Sequence, residues 1–262
     1  MRTFWALYKK EWKDSQQLLG FLVVGITALE LYGWYHFDPA LIERKESAWY
    51  QIPFVIAMAV GFFAPAFLLA RSFSFEWKSE THYQWFSLPV NRWITVMSKF
   101  AVALSQGIVL LLFSSGGVFQ ASSKDGGFTI WQVFFEKTED LQLYQFSLFM
   151  IDIFVMFSLP VLLGLVLTLA LVTAMEGVKF TVHRYRGLVA LVFFGSSVYL
   201  FGRFFNSAVQ ILDFMGSYKP LLFLPGKGMG HSVEWASYAY PLLAIVLLMG
   251  MGLWLFEKRV DI

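Results

Sequence analysis

The sequence predicts an all-α integral membrane protein with six transmembrane helices, and three observations carry that prediction. Hydrophobic residues make up 58% of the 262-residue chain and charged residues only 15%, whereas a soluble domain averages about 45–50% and about 25%. A water-soluble fold of this composition would lack the polar side chains to cover its surface, since even ordinary globular proteins expose much apolar area. The apolar residues also gather into six long runs, each near the roughly 20 residues a helix needs to cross a hydrocarbon layer about 30 Å thick. Charged stretches separate the runs, which leaves short connections and no room for a soluble catalytic head.

Residues 1–14 form an amphipathic segment. Phe4, Trp5, Tyr8 and Trp12 recur at helical spacing, with Arg2, Lys9, Lys10 and Lys13 on the other side. That is the pattern of a helix lying in the headgroup layer; the alternative is a plain aromatic and basic flank to the first span. The segment is too charged for a cleavable signal, and no short apolar core with a small-residue cleavage site follows it. The first span covers 18–37 and contains Glu30; the second (52–70), third (100–121) and fourth (153–175) are uncharged. The fifth, 188–205, meets Arg203 near its end and asks for snorkelling or a shortened helix. The sixth covers 238–256.

An even number of spans puts both termini on one side. With the termini inside, 13 of the 20 basic residues lie inside with them, against seven of the 18 acids. The lysine and arginine bias therefore favours cytoplasmic termini in a multi-pass protein of the cytoplasmic membrane. The outer segments 128–150 and 206–235 are rich in Trp, Phe and Leu and read as interfacial or re-entrant helices. The formal net charge of +2 implies no nucleic-acid partner, and the absence of cysteine excludes disulfides and thiolate chemistry. The four histidines, His36, His82, His183 and His231, are scattered over both sides, so no metal site is expected. Ser196 and Ser197 have no histidine at matching depth, and no catalytic set emerges.

The longest inner connection, 71–99, carries a recognisable pattern. Its stretch from Phe75 to Arg92 includes Glu76, Glu80, Thr81 and the turn Leu88-Pro89-Val90-Asn91-Arg92, and Lys99 opens the next span. Pro89 ends any helix begun near Phe75. This stretch resembles the first cytoplasmic loop of ABC-2 type transporter permeases, in which an acid and a threonine precede a leucine-proline-polar-arginine turn and a lysine follows. Glu76, Thr81, Leu88, Pro89, Arg92 and Lys99 occupy those positions, while Glu80 stands where a glycine is common. The resemblance extends in outline over the whole chain, through the amphipathic start, six spans, apolar outer segment and charged tail.

The resemblance implies a permease subunit of an ATP-binding cassette exporter that moves an amphipathic or hydrophobic substrate such as a peptide, antibiotic or lipid-like molecule. No G-x-x-x-x-G-K-[ST] phosphate loop occurs, and Pro225-Gly226-Lys227-Gly228 lacks its upstream glycine. The chain itself is then no enzyme and holds no cofactor. ATP and magnesium would be bound by a dimer of a separate cytoplasmic ATPase, with 71–99 as the coupling loop. A second permease, identical or related, would complete the membrane assembly among its lipids, with the route lined largely by the first, second and fifth spans.

Three charged residues inside or at the ends of spans are candidates for the translocation path or an intramembrane pair: Glu30, Asp152 and Arg203. An acid in an apolar span is costly unless it meets a partner or a wet cavity. Glu30 stands on the substrate route or against Arg203, or else hydrates at the outer headgroups among Tyr32, Trp34 and Tyr35. Asp152 pairs with Arg203 or is solvated at the interface. A reading from a different class is a non-transporting membrane scaffold or immunity protein that sequesters an amphipathic peptide through its aromatic outer segments.

Overall fold

The computed structural model describes residues 2–35, 48–78, 91–122, 151–152, 154–182, 184–218 and 233–258. Among the described residues six long helices dominate: α1 (Arg2–Tyr35), α2 (Ala48–Lys78), α3 (Arg92–Ser122), α4 (Leu159–Thr181), α5 (Arg186–Ile211) and α6 (Ala236–Lys258). Each is long and apolar enough to cross a membrane, so the all-α, six-span class read from composition is the observed one.

Two differences from the sequence reading concern boundaries. The segment 1–14 is not a separate interfacial helix, because α1 runs unbroken for 34 residues. Asp14-Ser15-Gln16-Gln17 contains neither proline nor glycine, so nothing in the backbone chemistry stops the helix there. At 1.5 Å per residue α1 is about 51 Å long, well beyond a hydrocarbon layer of about 30 Å. The inner connection is also shorter than 71–99, since α2 continues to Lys78 and α3 begins at Arg92. Glu80, Thr81, Leu88 and Pro89 lie outside the described residues, as does the outer segment 128–150.

Prolines within the helices do not end them. Pro53 and Pro65 sit inside α2 and Pro241 inside α6, which is tolerated where neighbouring helices or local adjustments serve the released carbonyls. Ahead of α4 the adjustment is visible: a π-helical turn at Phe154–Ser158 precedes Pro160, widening the backbone where the ring would otherwise strike the preceding turn. The turn from α4 to α5 is tight. Tyr185 adopts φ 59° there, a left-handed conformation that costs an L-residue roughly 1–2 kcal/mol, and Arg186 Nε donates to Val182 O at 3.0 Å across it.

The chain forms two compact units. One comprises residues 1–12, 66–104 and 149–262, the other 13–65 and 105–148. In the first, α4 and α6 pack most closely. A Cβ on Gly177 would come within 3.1 Å of the Gly252 carbonyl, and one on Gly252 within 3.2 Å of the Ala174 backbone, so these small residues let two backbones approach. Phe256 of α6 stacks on Phe73 with centroids 5.4 Å apart and meets Phe180 edge-on at 4.6 Å. α5 is attached through Tyr240, whose hydroxyl donates to Phe201 O at 3.0 Å. In the second unit, Gly61 lies against Ser114 and Gly33 against the Phe54 ring, and Gln106 Nε2 donates to Ser15 Oγ at 2.6 Å.

Large apolar side chains remain exposed along α1, α2, α3, α5 and α6, among them Phe21, Phe63, Leu112, Leu191, Tyr199 and Leu247. In water such faces would be untenable. In a bilayer they are the surface that lipid wets.

Candidate functional site

The site begins with Lys99, eighth residue of α3 and 2% exposed. Its Nζ lies 2.8 Å from Glu11 Oε2 of α1 and 2.9 Å from Glu76 Oε1 of α2. The Phe73 ring stands 5.7 Å from the same nitrogen, within reach of a cation–π attraction. One ammonium therefore ties three helices together, and the cluster carries one more acid than base. Burial makes the lysine the critical member, because removing its charge leaves two carboxylates uncompensated in a poorly screened place. Among the described residues no three His, Asp or Glu side chains converge as a metal site; the chemistry of this arrangement is mechanical, a lock of charges.

Arg92 opens α3 and supplies a second fastening. Its guanidinium donates to the Glu257 carbonyl near the end of α6 at 3.2 Å. A cation at the last carbonyls of a helix is favoured by the unpaired C=O groups there. Three residues singled out from the loop pattern, Glu76, Arg92 and Lys99, thus flank the α2–α3 connection and bind its two ends to α1, to each other and to α6.

The other end of the first unit holds a different polar cluster. Asp152, 1% exposed, accepts a hydrogen bond from the Tyr218 hydroxyl. That bond, with lesser effects of burial and the carboxylate's charge, pushes the Tyr218 hydroxyl up to about 12. Tyr218 belongs to a two-residue antiparallel ladder, Ser217–Tyr218 (β1) with Val233–Glu234 (β2). Trp235 lies against both Tyr218 and Tyr238, at 5.7 and 6.0 Å, and Tyr238 donates to Val155 O at 2.8 Å. Gly216 turns the chain into the ladder with φ 76°, a conformation glycine adopts without a Cβ penalty. Tyr238 and Glu257 are 19 residues apart on α6, about 28 Å at helical rise. The two polar clusters are therefore separated along that helix by about the thickness of a hydrocarbon core.

Asp152 is paired with a tyrosine rather than with Arg203, which is exposed on α5 and forms no ion pair among the described residues. Glu30 is buried, 8% exposed, and borders a cleft with Thr27, Leu31, Trp34 and Phe113. The sequence reading did not single out Glu11, Phe73, Tyr218 or Phe113. The one sequence signal for Glu11 is its spacing: Glu11 and Ser15 are one turn apart on α1, and in the structure each hydrogen bonds to a polar residue of α3.

Fold and site together define a class: an all-helical, multi-pass membrane protein whose α2–α3 connection is anchored by a buried ion cluster. Comparison of the chain with protein-family models, curated proteins and solved structures gives no match.

Proposed function

We propose that this chain is the permease subunit of an ATP-driven exporter in the cytoplasmic membrane, with its termini inside. A separate ATPase dimer binds ATP and magnesium and drives it, and a second permease shares the translocation route. The observation that carries the reading is the fastening of the α2–α3 connection at both ends, through Glu76, Lys99 and Glu11 and through Arg92 and Glu257. A loop that only joined two spans would not need a buried three-charge anchor. A lever does: force applied at residues 79–90 is delivered to the starts of α1 and α3 and the ends of α2 and α6 together, because breaking the lock costs more than moving it. The resemblance of Glu76, Thr81, Leu88, Pro89, Arg92 and Lys99 to the permease coupling loop agrees with this use. α5 buries only Ala190, which leaves its remaining surface for lipid or for the second permease. The substrate is amphipathic or hydrophobic, reached from the apolar faces of the bundle.

The test is reconstitution of the chain with the ATPase encoded beside it. ATP-dependent export is expected from the complex, with loss on Leu88→Ala/Pro89→Ala substitution and with a hydrolysis-dead ATPase. Failure of the two proteins to associate, or protection of cells that persists with the dead ATPase, would replace the exporter by a sequestering scaffold.

A further inference from the structure

One carbonyl ahead of α4 receives a hydrogen bond from another helix. In a π-turn a carbonyl accepts from the N–H five residues on, and for Val155, within the turn Phe154–Ser158, that residue is Pro160. Proline has no N–H to give. The hydroxyl of Tyr238, third residue of α6, donates to Val155 O at 2.8 Å in its place. Val155 and Tyr238 are 7% and 9% exposed, and a buried carbonyl without a donor is costly where water is scarce. The chain is therefore closed at this point by α6, where the N–H that its own register calls for is missing.

The two sides of Pro160 are held differently. Ahead of it, Ile151, Phe154 and Phe157 are each nearly half exposed. Asp152 accepts from the Tyr218 hydroxyl, and Val155 packs with Leu163 and Tyr238, with Tyr218, Val233 and Trp235 against them. Beyond it, the backbone of α4 at Ala174 lies so close to Gly252 of α6 that a Cβ on the glycine would come within 3.2 Å. The turn ahead of α4 is thus fastened by hydroxyl bonds to the start of α6 and to the β1–β2 ladder, whereas later turns of α4 are clamped backbone to backbone. Helices bend at prolines and π-turns, and Pro160 stands between the two kinds of fastening.

We propose that Phe154–Ser158 is a hinge at the head of α4 and that Tyr238 is its latch. With the hydroxyl on Val155 O, the turn is fixed to α6. With the hydroxyl withdrawn, the turn swings on Pro160 while the clamped part of α4 stays in place. The device depends on α4 and α6 alone, so it stands or falls apart from the exporter reading.

Amide hydrogen exchange of the full chain in phosphatidylglycerol nanodiscs, read by mass spectrometry, tests this. Tyr238→Phe is expected to speed exchange at Phe154–Leu159 by about tenfold or more, the scale of a buried acceptor left without its donor, and to leave Leu165–Ala174 unchanged. Pro160→Ala restores the missing N–H and makes the latch redundant. In that background Tyr238→Phe should alter exchange at Phe154–Leu159 by less than about threefold, a strong non-additivity between the two sites. An equal acceleration in both backgrounds would overturn the proposal, because the bond would then owe nothing to the proline. An acceleration spread evenly over Leu165–Ala174 would also overturn it, by making Tyr238 an ordinary packing contact between α4 and α6. Should Tyr238→Phe fail to fold, Pro160→Ala alone decides: it is expected to slow exchange at Phe154–Leu159, and an unchanged rate there would remove the hinge.

Discussion

Replacing Lys99 with methionine removes the ammonium that holds Glu11 and Glu76 while keeping much of the side chain's bulk. The carboxylate oxygens lie 2.8 and 2.9 Å from Nζ. At an effective dielectric constant of about 20, each attraction is worth about 6 kcal/mol before desolvation, and two carboxylates sharing one ammonium repel by about 3 kcal/mol. Desolvation of three buried groups consumes most of that gain. What an experiment reads is the penalty of an orphaned buried charge, about 3–5 kcal/mol. Lys99→Met is expected to cost at least that much, since it strands two carboxylates. Glu11→Gln or Glu76→Gln alone leaves a neutral buried pair with a polar amide beside it, and should cost only about 1 kcal/mol. The Glu11→Gln/Glu76→Gln double variant strands the lysine and returns the cost to about 3–5 kcal/mol. Adding both glutamines to Lys99→Met should recover much of the loss, a strong non-additivity of the kind neighbouring groups show. Unfolding of the detergent-solubilised chain by dodecyl sulfate, followed by tryptophan fluorescence, supplies the free energies. A Lys99→Met protein within about 1 kcal/mol of the parent, the scale of an ordinary substitution, would refute the account of a charge lock. So would a single glutamine variant as unstable as Lys99→Met.

Two further outcomes follow from the packing and from the second polar cluster. Tyr218, whose hydroxyl is pushed up to about 12 by its bond to Asp152, contributes stability that is complete below its ordinary ionisation near 10 and disappears as pH climbs through about 12. Asp152→Asn should move the tyrosine's ionisation back towards 10, read as a shift of one tyrosinate step in an ultraviolet titration, and an unmoved step would show that the pair does not form. At Gly61, a Cβ would lie 2.6 Å from Ser114 Oγ and 3.2 Å from Leu110 O, so Gly61→Ala should cost about 1–3 kcal/mol by overpacking. Adding Ser114→Ala to it should recover part of that loss in thermal unfolding, and no recovery would place the conflict at the Leu110 carbonyl instead.

Much of the architecture was legible because a bilayer constrains a chain through length and polarity alone. The uncharged runs at 52–70, 100–121 and 238–256 each fall inside one of the long helices, and most of the run at 153–175 falls in α4. Helix ends were harder to read, since polar residues such as Asp14, Gln16 and Arg71 are acceptable in a helix once it leaves hydrocarbon. That is why α1 and α2 extend past the boundaries expected from hydropathy. The charged residues were legible as candidates but not as pairs. Asp152 and Arg203 are both acceptable partners on paper, and Asp152 instead meets Tyr218, 66 residues away.

The sequence by itself determined that the protein is helical, apolar-faced and six times long enough to cross a membrane, because the hydrophobic effect acts on each run separately and needs no knowledge of its neighbours. Only the tertiary structure decided that Lys99 of α3, Glu11 of α1 and Glu76 of α2 share one buried position. A charge pair depends on a distance of about 3 Å between groups far apart along the chain, and such distances exist only after the helices have packed.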